Sequence, residues 1–223
     1  MRQTTEHRWD VEPSEAFAIQ QQLRGRIVSE DDFGTIRWVG GVDIGFEDDG
    51  AITRAAAVVL GFPDLQLHEH VIVRRPTSYP YIPGLLSFRE VPAALEALAA
   101  LGTRPDLLLC DGQGLAHPRR FGLACHLGLL SDIPAIGVAK THLFGAYDPV
   151  GEERGSWQPM RDRNEVIGAV LRTRRGTKPL FVSIGHRVSL ASGIELVLAC
   201  RPKYRLPETT RWAHRYASNT DRI

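Results

Sequence analysis

The fold class is indicated by one short segment, Leu107-Leu108-Leu109-Cys110-Asp111-Gly112. Its apolar residues run without a polar interruption, which is typical of a central strand that is buried on both faces of a parallel sheet. A second apolar run, at residues 135–139, ends at Lys140 and has the same character. We expect a helix between the two runs, at residues 122–130. Together they predict a strand-helix-strand unit, as found in α/β proteins.

The residues that come first in the chain predict a helix and a three-stranded meander. Pro13 and Ser14 open the helix, whose apolar residues recur at spacings of three and four at Ala16, Ile19, Leu23 and Ile27. Three extended segments follow, and the short, turn-prone links between them favour antiparallel pairing. The segments are residues 36–46, 51–60 and 67–73.

The complete order of elements points to a ribonuclease H-like fold. A helix that begins near Phe88 keeps helical spacing to Leu101, and Gly102 ends it before the first apolar run. The order is therefore strand, strand, strand, helix, strand, helix, strand, which is found in ribonuclease H-like folds with a mixed central sheet flanked by helices. We expect further strands at residues 166–171 and 180–184, and helices near residues 190–200 and 210–218.

The composition fits an ordinary globular enzyme and excludes a disordered or fibrous protein. Of the 223 residues, 43% are hydrophobic and 24% are charged, which is sufficient for one full core. No apolar run has the length of a membrane span, and residues 1–9 are polar where a secretory signal would be apolar. We therefore expect a single domain over residues 1–223 that is cytoplasmic, monomeric and without a membrane partner.

The cysteines and the charge distribution narrow the class of protein further. Cys110, Cys125 and Cys200 lie in apolar surroundings without a close-set pair for zinc, so we expect buried, reduced thiols. From Arg154 onward the chain has 14 Lys and Arg against 5 Asp and Glu, whereas the part before it has 13 against 21. An acidic front and a basic tail suit a metal site beside a polyanion, and a solvated Arg-rich surface is the alternative.

Carboxylates in apolar surroundings are the candidate residues of a cation-binding site. Asp43 lies within the otherwise apolar first strand, and Asp111 ends the buried run. A buried, unpaired carboxylate is costly, so each requires either a cation or a capping role at a strand end. If the two strands are neighbours, both carboxylates face one place and can hold Mg²⁺. Glu90, in the first turn of the helix near Phe88, either joins this site or pairs with the helix dipole.

Three basic side chains are further candidates. The chain contains 24 Arg but only 3 Lys, so Lys140 at the end of a buried strand is distinctive. Its compact ammonium suits a phosphate oxygen or a leaving-group charge, and the alternative is a strand-end lysine that reaches into solvent. His117 and His214 are weaker candidates, because a lone histidine is commonly a hydrogen-bonded structural residue.

A stiff loop precedes Glu90 and reads Tyr79-Pro80-Tyr81-Ile82-Pro83-Gly84-Leu85-Leu86-Ser87-Phe88. We name its residues 80–84 the proline-tyrosine loop. Stiff apolar and aromatic tips are what proteins insert between base steps, so beside a metal site this loop predicts a wedge, and a packed surface loop is the alternative. Gly112, Gly114 and Gly122 indicate exposed backbone amides and space for a flat ring, or simple turns.

In their order along the chain, these motifs resemble the endonuclease V family. The resemblance covers about residues 40–145, and the proline-tyrosine loop joined to its glutamate is far more specific than any single carboxylate. The matching segments are Gly41-Val42-Asp43, Pro80-Tyr81-Ile82-Pro83-Gly84-Leu85-Leu86, Phe88-Arg89-Glu90, Asp111-Gly112-Gln113-Gly114, His117-Pro118-Arg119, Gly122-Leu123-Ala124 and Val138-Ala139-Lys140.

The resemblance implies an endonuclease that recognises deaminated bases in DNA, chiefly hypoxanthine in deoxyinosine. Such an enzyme cuts the second phosphodiester bond on the 3′ side and leaves 5′-phosphate ends. By this likeness Asp43, Glu90 and Asp111 bind Mg²⁺, for which Mn²⁺ can substitute, and Lys140 assists the phosphate or the leaving group. His214 completes the catalytic set. Few matching motifs occur after about residue 147, so Asp221 and His186 are conceivable substitutes for it.

The same resemblance assigns the substrate-binding residues. Tyr81 and the rest of the proline-tyrosine loop are expected to separate the strands. The residues expected to contact the substrate are Pro80, Tyr81, Ile82, Pro83, Gly84, Leu86, Gly112, His117 and Gly122.

Two other functions fit the same residues. An inosine-specific endoribonuclease needs only tolerance of a 2′-hydroxyl near the cut. A non-cleaving module would bind modified bases and use the basic tail for backbone contacts. The intact carboxylate set argues against the non-cleaving module, and a structural protein has the least support.

Overall fold

The computed structural model of the chain describes residues 7–201 and 203–218. Within these ranges the chain forms five α-helices and eight strands. In chain order the elements are α1 (Pro13–Arg24), β1 (Trp38–Glu47), β2 (Ile52–Gly61), β3 (Leu67–Pro76), α2 (Leu86–Ala99), β4 (Leu107–Cys110), α3 (Leu123–Ser131), β5 (Ala135–Ala139), β6 (Trp157–Asp162), β7 (Glu165–Leu171), β8 (Leu180–His186), α4 (Leu190–Ala199) and α5 (Glu208–Ala217).

The strands form one mixed sheet in the order β3-β2-β1-β4-β5-β8-β7-β6. β1, β2 and β3 are an antiparallel meander, and β4 and β5 extend it in parallel with β1. Beyond β5, the strands β8, β7 and β6 pair antiparallel. The α/β class, the meander and the ribonuclease H-like arrangement of the first five strands are confirmed.

The side chains of β4 explain why the sheet is covered on both faces. Leu107 and Leu109 belong to the core cluster that includes residues of α4 and α5. Leu108 and Cys110 belong to the cluster that includes residues of α2 and α3. All four are fully buried, so the prediction of a strand buried on both faces is confirmed.

The parallel register of β1 and β4 brings two carboxylates level with each other. Val42 lies opposite Cys110, the last residue of β4, so the residues that follow them are Asp43 and Asp111. β5 is the next parallel strand, and Lys140 follows its last residue. Asp111 therefore lies beside Asp43 in the middle of β1, and Lys140 follows the end of β5, the strand on the other side of β4.

The helix boundaries differ from two expectations. α1 ends at Arg24, so Ile27 lies beyond the helix. α2 begins at Leu86, two residues after the loop turns at Gly84, which has φ +80°. The expectation that Glu90 lies in the first turn is therefore wrong, because Glu90 is the fifth residue of α2. Pairing with the helix dipole, which acts within the first turn, consequently does not account for Glu90.

The edge strand β6 was not predicted from the sequence. Met160 is the only residue of this strand that is buried, so the segment has no apolar alternation. An edge strand has one unpaired side and tolerates a proline, here Pro159, which is why its sequence does not look like a strand.

The cysteines agree with the expectation of buried, reduced thiols. Cys110, Cys125 and Cys200 are all buried and free, and burial raises the pKa of each thiol. Among the described helices, none combines the length and the apolar character needed to cross a bilayer.

Candidate active site

An ion pair links the residues that follow the two parallel strands β4 and β5. Lys140, after β5, forms an ion pair from its Nζ to Oδ2 of Asp111, after β4. The Asp111 side chain keeps 13% of its surface exposed and that of Lys140 keeps 33%. The pair is therefore accessible from outside while it is held at fixed strand ends.

Helix α5 brings His214 to Asp43. Nδ1 of His214 donates a hydrogen bond to Oδ2 of Asp43 at 2.7 Å. The close approach of α5 to β1 requires Gly41, because a Cβ there would lie 2.4 Å from the backbone oxygen of Thr209. Thus glycine in β1 permits the packing that sets the histidine against the carboxylate.

The structure distinguishes His214 from His186, one of the two substitutes considered for it. His186 ends β8 opposite Ala135, the first residue of β5, whereas Lys140 follows the other end of β5. Nδ1 of His186 accepts a hydrogen bond from the backbone of Val28, so His186 lies away from the carboxylates. Asp221 lies outside the described residues.

The three predicted carboxylates are close enough to repel one another. Burial raises the pKa of Asp43, and the charge of Asp111 raises it further, whereas the hydrogen bond from His214 opposes the shift. Burial and then the charges of Asp43 and Asp111 raise the pKa of Glu90 to about 8. When all three are ionised, the carboxylates therefore carry more negative charge than the ammonium of Lys140 compensates.

The donor chemistry of this cluster fits a hard divalent cation, which prefers carboxylate oxygens. As they stand, no three His, Cys, Asp or Glu side chains within residues 7–201 and 203–218 are arranged tightly enough to hold a metal ion. One oxygen of Asp111 is engaged by Lys140, and one oxygen of Asp43 is engaged by His214. Each carboxylate nevertheless keeps a second oxygen, and the mutual repulsion is the kind that a cation relieves.

Burial of Glu90, together with this repulsion, predicts that Glu90→Gln stabilises the metal-free protein at high pH. The folded-state pKa of about 8 lies above the ordinary value of 4.5, so the wild type loses stability as pH rises from about 4.5 to about 8. Glutamine does not titrate and avoids this loss. We expect the variant to melt several degrees higher at pH 8, since about 1 kcal/mol corresponds to about 2–4 °C in a chain of this size.

Thermal melts in chelating buffer at pH 5 and pH 8 measure this effect. Glu96→Gln, an exposed position on the same helix, is the matched control and should show no gain that grows with pH. A lower melting temperature for Glu90→Gln than for the wild type at pH 8 would show that Glu90 is stabilising, contrary to the repulsion described above.

A cavity of about 160 Å³ lies between the proline-tyrosine loop and the glycine-rich segment after Asp111. We name it the loop cavity. It is smaller than the roughly 300–1,000 Å³ of pockets for drug-sized ligands, which suits a single base. All the residues predicted to contact the substrate line it except Pro80, which is exposed. The lining residues that were predicted are Tyr81, Ile82, Pro83, Gly84, Leu86, Gly112, His117 and Gly122.

Gly84 is held in place by donors that converge on its carbonyl. Gln20 of α1 donates from Nε2 at 3.0 Å, and Arg119 donates from Nη2 at 2.6 Å. His117 also hydrogen-bonds to the backbone of Gly84. With φ at +80°, Gly84 has a conformation that favours glycine, and a Cβ there would lie 2.5 Å from Arg119. The end of the proline-tyrosine loop is therefore rigidly attached to the body of the protein.

The wall of the loop cavity carries no positive charge at His117. Burial, with the charges of Arg119 and Arg120, lowers the pKa of His117 to about 4. Nδ1 of His117 accepts a hydrogen bond from the backbone N–H of Arg119 at 3.2 Å, so the proton of the neutral ring is on Nε2. His117 is thus a buried, neutral histidine that supports the loop.

Two of the glycines near Asp111 do not present open amides, which corrects that expectation. The N–H of Gly114 donates to Oγ of Ser183 at 2.8 Å, and the N–H of Gly122 donates to the carbonyl of Gly114 at 3.0 Å. Gly114 instead permits a close backbone approach to β8, since a Cβ would lie 2.0 Å from the carbonyl oxygen of Ile184.

Sequence reasoning missed six residues that line the loop cavity. Ser87, Gln113 and Leu123 lie within segments quoted in the sequence analysis and Phe121 directly precedes one, so their position offered a signal. Gln20 on α1 offered none, because it reaches the cavity from about 60 residues before the loop. The six are Gln20, Ser87, Gln113, Phe121, Leu123 and Leu143.

Comparisons with known proteins point to one family. A family model for endonuclease V matches residues 21–215. An endonuclease V from Nostoc sp. is 58% identical over 96% of this chain and 97% of its own length. The crystal structure of endonuclease V from Streptomyces avermitilis is 44% identical, spans 95% of this chain and 94% of its own, and superimposes with a TM-score of 0.90.

A more distant structure includes nucleic acid. It is a Ciona intestinalis endonuclease V in complex with a 24-mer DNA containing an inosine followed by a ribo-adenosine. It is 28% identical, spans 93% of this chain and 96% of its own, and has a TM-score of 0.82. The family model and the similarity to curated relatives extend over nearly the whole sequence. The chain belongs to the endonuclease V family.

Proposed function

We propose that the protein is a metal-dependent endonuclease that recognises deoxyinosine in DNA and cuts the second phosphodiester bond on its 3′ side. The observation that carries this proposal is the placement of Asp43, Asp111 and Lys140 beside a cavity of single-base size. The similar protein from Ciona intestinalis is bound to DNA with an inosine, which supports the choice of base. Cutting leaves a 5′-phosphate and initiates repair while the lesion stays in the strand.

The proposed cation is Mg²⁺, with Mn²⁺ as a substitute, and Asp43, Asp111 and Glu90 are the residues that would hold it. Such an ion, when bound, stabilises charge on a phosphate and activates water for in-line attack. Lys140, which pairs with Asp111, would present a compact positive charge to a phosphate oxygen or a leaving oxygen. His214 orients Asp43 through the hydrogen bond to Oδ2.

The offset between lesion and cut follows from the separation of two parts of the site. The loop cavity would hold the extruded base, while the backbone beyond that base would cross the carboxylates. Gly112 lines the cavity and directly follows Asp111, so the two parts are joined by one rigid turn. Because base and scissile bond occupy different places, the cut falls at a fixed distance from the lesion.

Tyr81 is the side chain best placed to separate the two DNA strands. The ring is 68% exposed at the tip of the proline-tyrosine loop. Tyr81→Ala is expected to lower the cutting rate on duplex DNA about 10-fold or more, because stacking on a base contributes about 1–3 kcal/mol. Cutting of the matching single strand should fall less, since that strand has no partner to separate.

Rates on both substrates, measured side by side, test the role of Tyr81. Trp157→Ala, an exposed aromatic residue on the edge strand β6, serves as the control and should leave both rates unchanged. An equal loss on duplex and single strand would contradict the wedge and indicate a contact to the base alone.

The proposed function is tested by mapping the cut on one end-labelled strand with a central inosine. With Mg²⁺ we expect one product that ends at the second bond 3′ to the lesion, and no product from the strand with adenine. Tight binding without cutting in Mg²⁺ or Mn²⁺ would instead indicate the non-cleaving module. Equal cutting of the strands with inosine and with adenine would indicate a nuclease without lesion recognition.

Inosine-containing RNA is the second candidate substrate. The DNA in the Ciona intestinalis complex carries a ribo-adenosine directly after the inosine, which favours tolerance of a 2′-hydroxyl near the cut in that protein. Matched DNA and RNA strands, and a DNA strand with one ribonucleotide after the inosine, would rank the substrates of this chain.

The proposal also includes the remaining expectations about the whole chain. We propose that residues 1–223 act as one unit, as a monomer in the cytoplasm, without a membrane partner. The single mixed sheet that joins all eight strands supports the single unit. Light scattering of the purified protein and cell fractionation test the oligomeric state and the location.

A further inference from the structure

Gln113 carries a buried oxygen that the protein itself leaves unpaired. The residue lies two positions after Asp111, is 8% exposed and lines the loop cavity. Its Oε1 has no hydrogen-bond partner among the described residues. Of the six described side chains with such an unpaired buried atom, Gln113 is the one that lines this cavity. A buried acceptor without a donor is unfavourable, so its retention in a cavity suggests a ligand.

The orientation of the Gln113 amide follows from its other end. Nε2 lies 3.1 Å from the backbone oxygen of Thr141, which can only accept a hydrogen bond. The atom that faces Thr141 must therefore be the amide nitrogen, and the remaining atom must be the carbonyl oxygen. The unpaired atom of Gln113 is thus an acceptor, and it requires an N–H or O–H group from the ligand.

We propose that Oε1 of Gln113 accepts the ring N–H of a 6-keto purine in the loop cavity and so selects hypoxanthine against adenine. This inference rests on the proposed function and adds a specificity-determining residue to it. Hypoxanthine carries a hydrogen on N1, whereas adenine has a lone pair there. With adenine bound, the lone pair on N1 would face Oε1 and leave two buried acceptors unpaired. This cost strongly disfavours binding of adenine.

The same amide connects the loop cavity to the cutting site. Thr141 directly follows Lys140, which pairs with Asp111. Gln113 therefore ties the segment of Lys140 through its amide nitrogen, and its Oε1 has no partner among the described residues. A base that satisfies Oε1 fixes this side chain between the two parts of the site.

The first test changes the ligand and leaves the protein intact. Three DNA strands carry hypoxanthine, adenine or unsubstituted purine, which has a hydrogen at C6 and a lone pair at N1. Affinities are measured by fluorescence anisotropy without divalent ion, so that cutting does not interfere. The wild type is expected to bind the hypoxanthine strand about 10-fold or more tightly than the purine strand. Equal affinity for these two strands would overturn the inference.

The second test changes Gln113 to methionine, which has a similar length and no amide. Gln113→Met is expected to weaken binding of the hypoxanthine strand about 10-fold and to leave the adenine strand within about 2-fold. An equal loss on both strands, or an unchanged preference, would contradict the role in selection. Gln66→Met, at an exposed turn before β3, is the control. Should Gln113→Met fail to fold, equal affinity of the wild type for the hypoxanthine and purine strands would still overturn the inference.

Failure of this inference can be distinguished from failure of the proposed function. A wild type that does not prefer hypoxanthine over adenine at all would contradict lesion recognition itself. A wild type with that preference, combined with a Gln113→Met variant that keeps it, would overturn only the role of Gln113.

Discussion

Asp111→Asn is expected to lower the rate of cutting an inosine-containing strand by about 10³-fold, because the site loses a carboxylate that would hold the cation and that pairs with Lys140 beside the reacting phosphate. Asp111 lies level with Asp43 at the end of β4 and accepts the ion pair from Lys140. Asparagine keeps the shape of the side chain but removes its negative charge, so it weakens both cation binding and the hold on Lys140.

Single-turnover cutting of an end-labelled strand with excess enzyme and Mg²⁺ measures this loss. Asp64→Asn, an exposed residue of the turn that follows β2, is the control and should cut at the wild-type rate. Equal rates for Asp111→Asn and the wild type would refute the carboxylate mechanism.

Lys140→Met is expected to reduce the same rate by about 10²-fold, the loss typical of removing one preorganised electrostatic contact in an active site. The ammonium is held at a strand end by its ion pair with Asp111, so it needs no reorganisation when charge develops on the phosphate. Lys140→Arg should recover only part of the rate, because a planar guanidinium does not replace a compact ammonium.

The chain offers a matched control for this prediction in Lys178, an exposed lysine before β8. Lys178→Met should retain the wild-type rate. If Lys140→Met also retained it, Lys140 would be a structural partner of Asp111 without a part in the reaction.

The central sheet was predictable because its strands have a strong local signal. Leu107, Leu109 and their neighbours must be apolar in a strand covered on both faces, and this requirement is visible without the fold. β6 was not predictable, because an edge strand with one buried residue is held by pairing with β7 and not by its own pattern. A strand with its own sequence pattern is therefore identified more readily than one, such as β6, that is held by pairing alone.

The residues of the candidate site also differ in whether the sequence alone reveals them. Asp43 and Asp111 could be found from the sequence, because a carboxylate within or after an apolar strand is locally anomalous. The roles of Gln20 and Gln113 could not be found, since glutamine is unremarkable in sequence and both roles depend on contacts with Gly84 and Thr141, even though Gln113 lies within a quoted motif. Those contacts join residues that lie 64 and 28 positions apart, which no local pattern encodes.

The convergence of Asp43, Glu90 and Asp111 on one cation beside the loop cavity is tested most directly by crystals soaked in Mn²⁺, using its anomalous signal. We expect one peak that contacts oxygens of Asp43 and Asp111 at about 2.0–2.6 Å, with Glu90 near it. The peak should be lost in Asp111→Asn crystals treated in the same way. A peak elsewhere, or no peak from a protein that cuts inosine-containing DNA in Mn²⁺, would contradict the account.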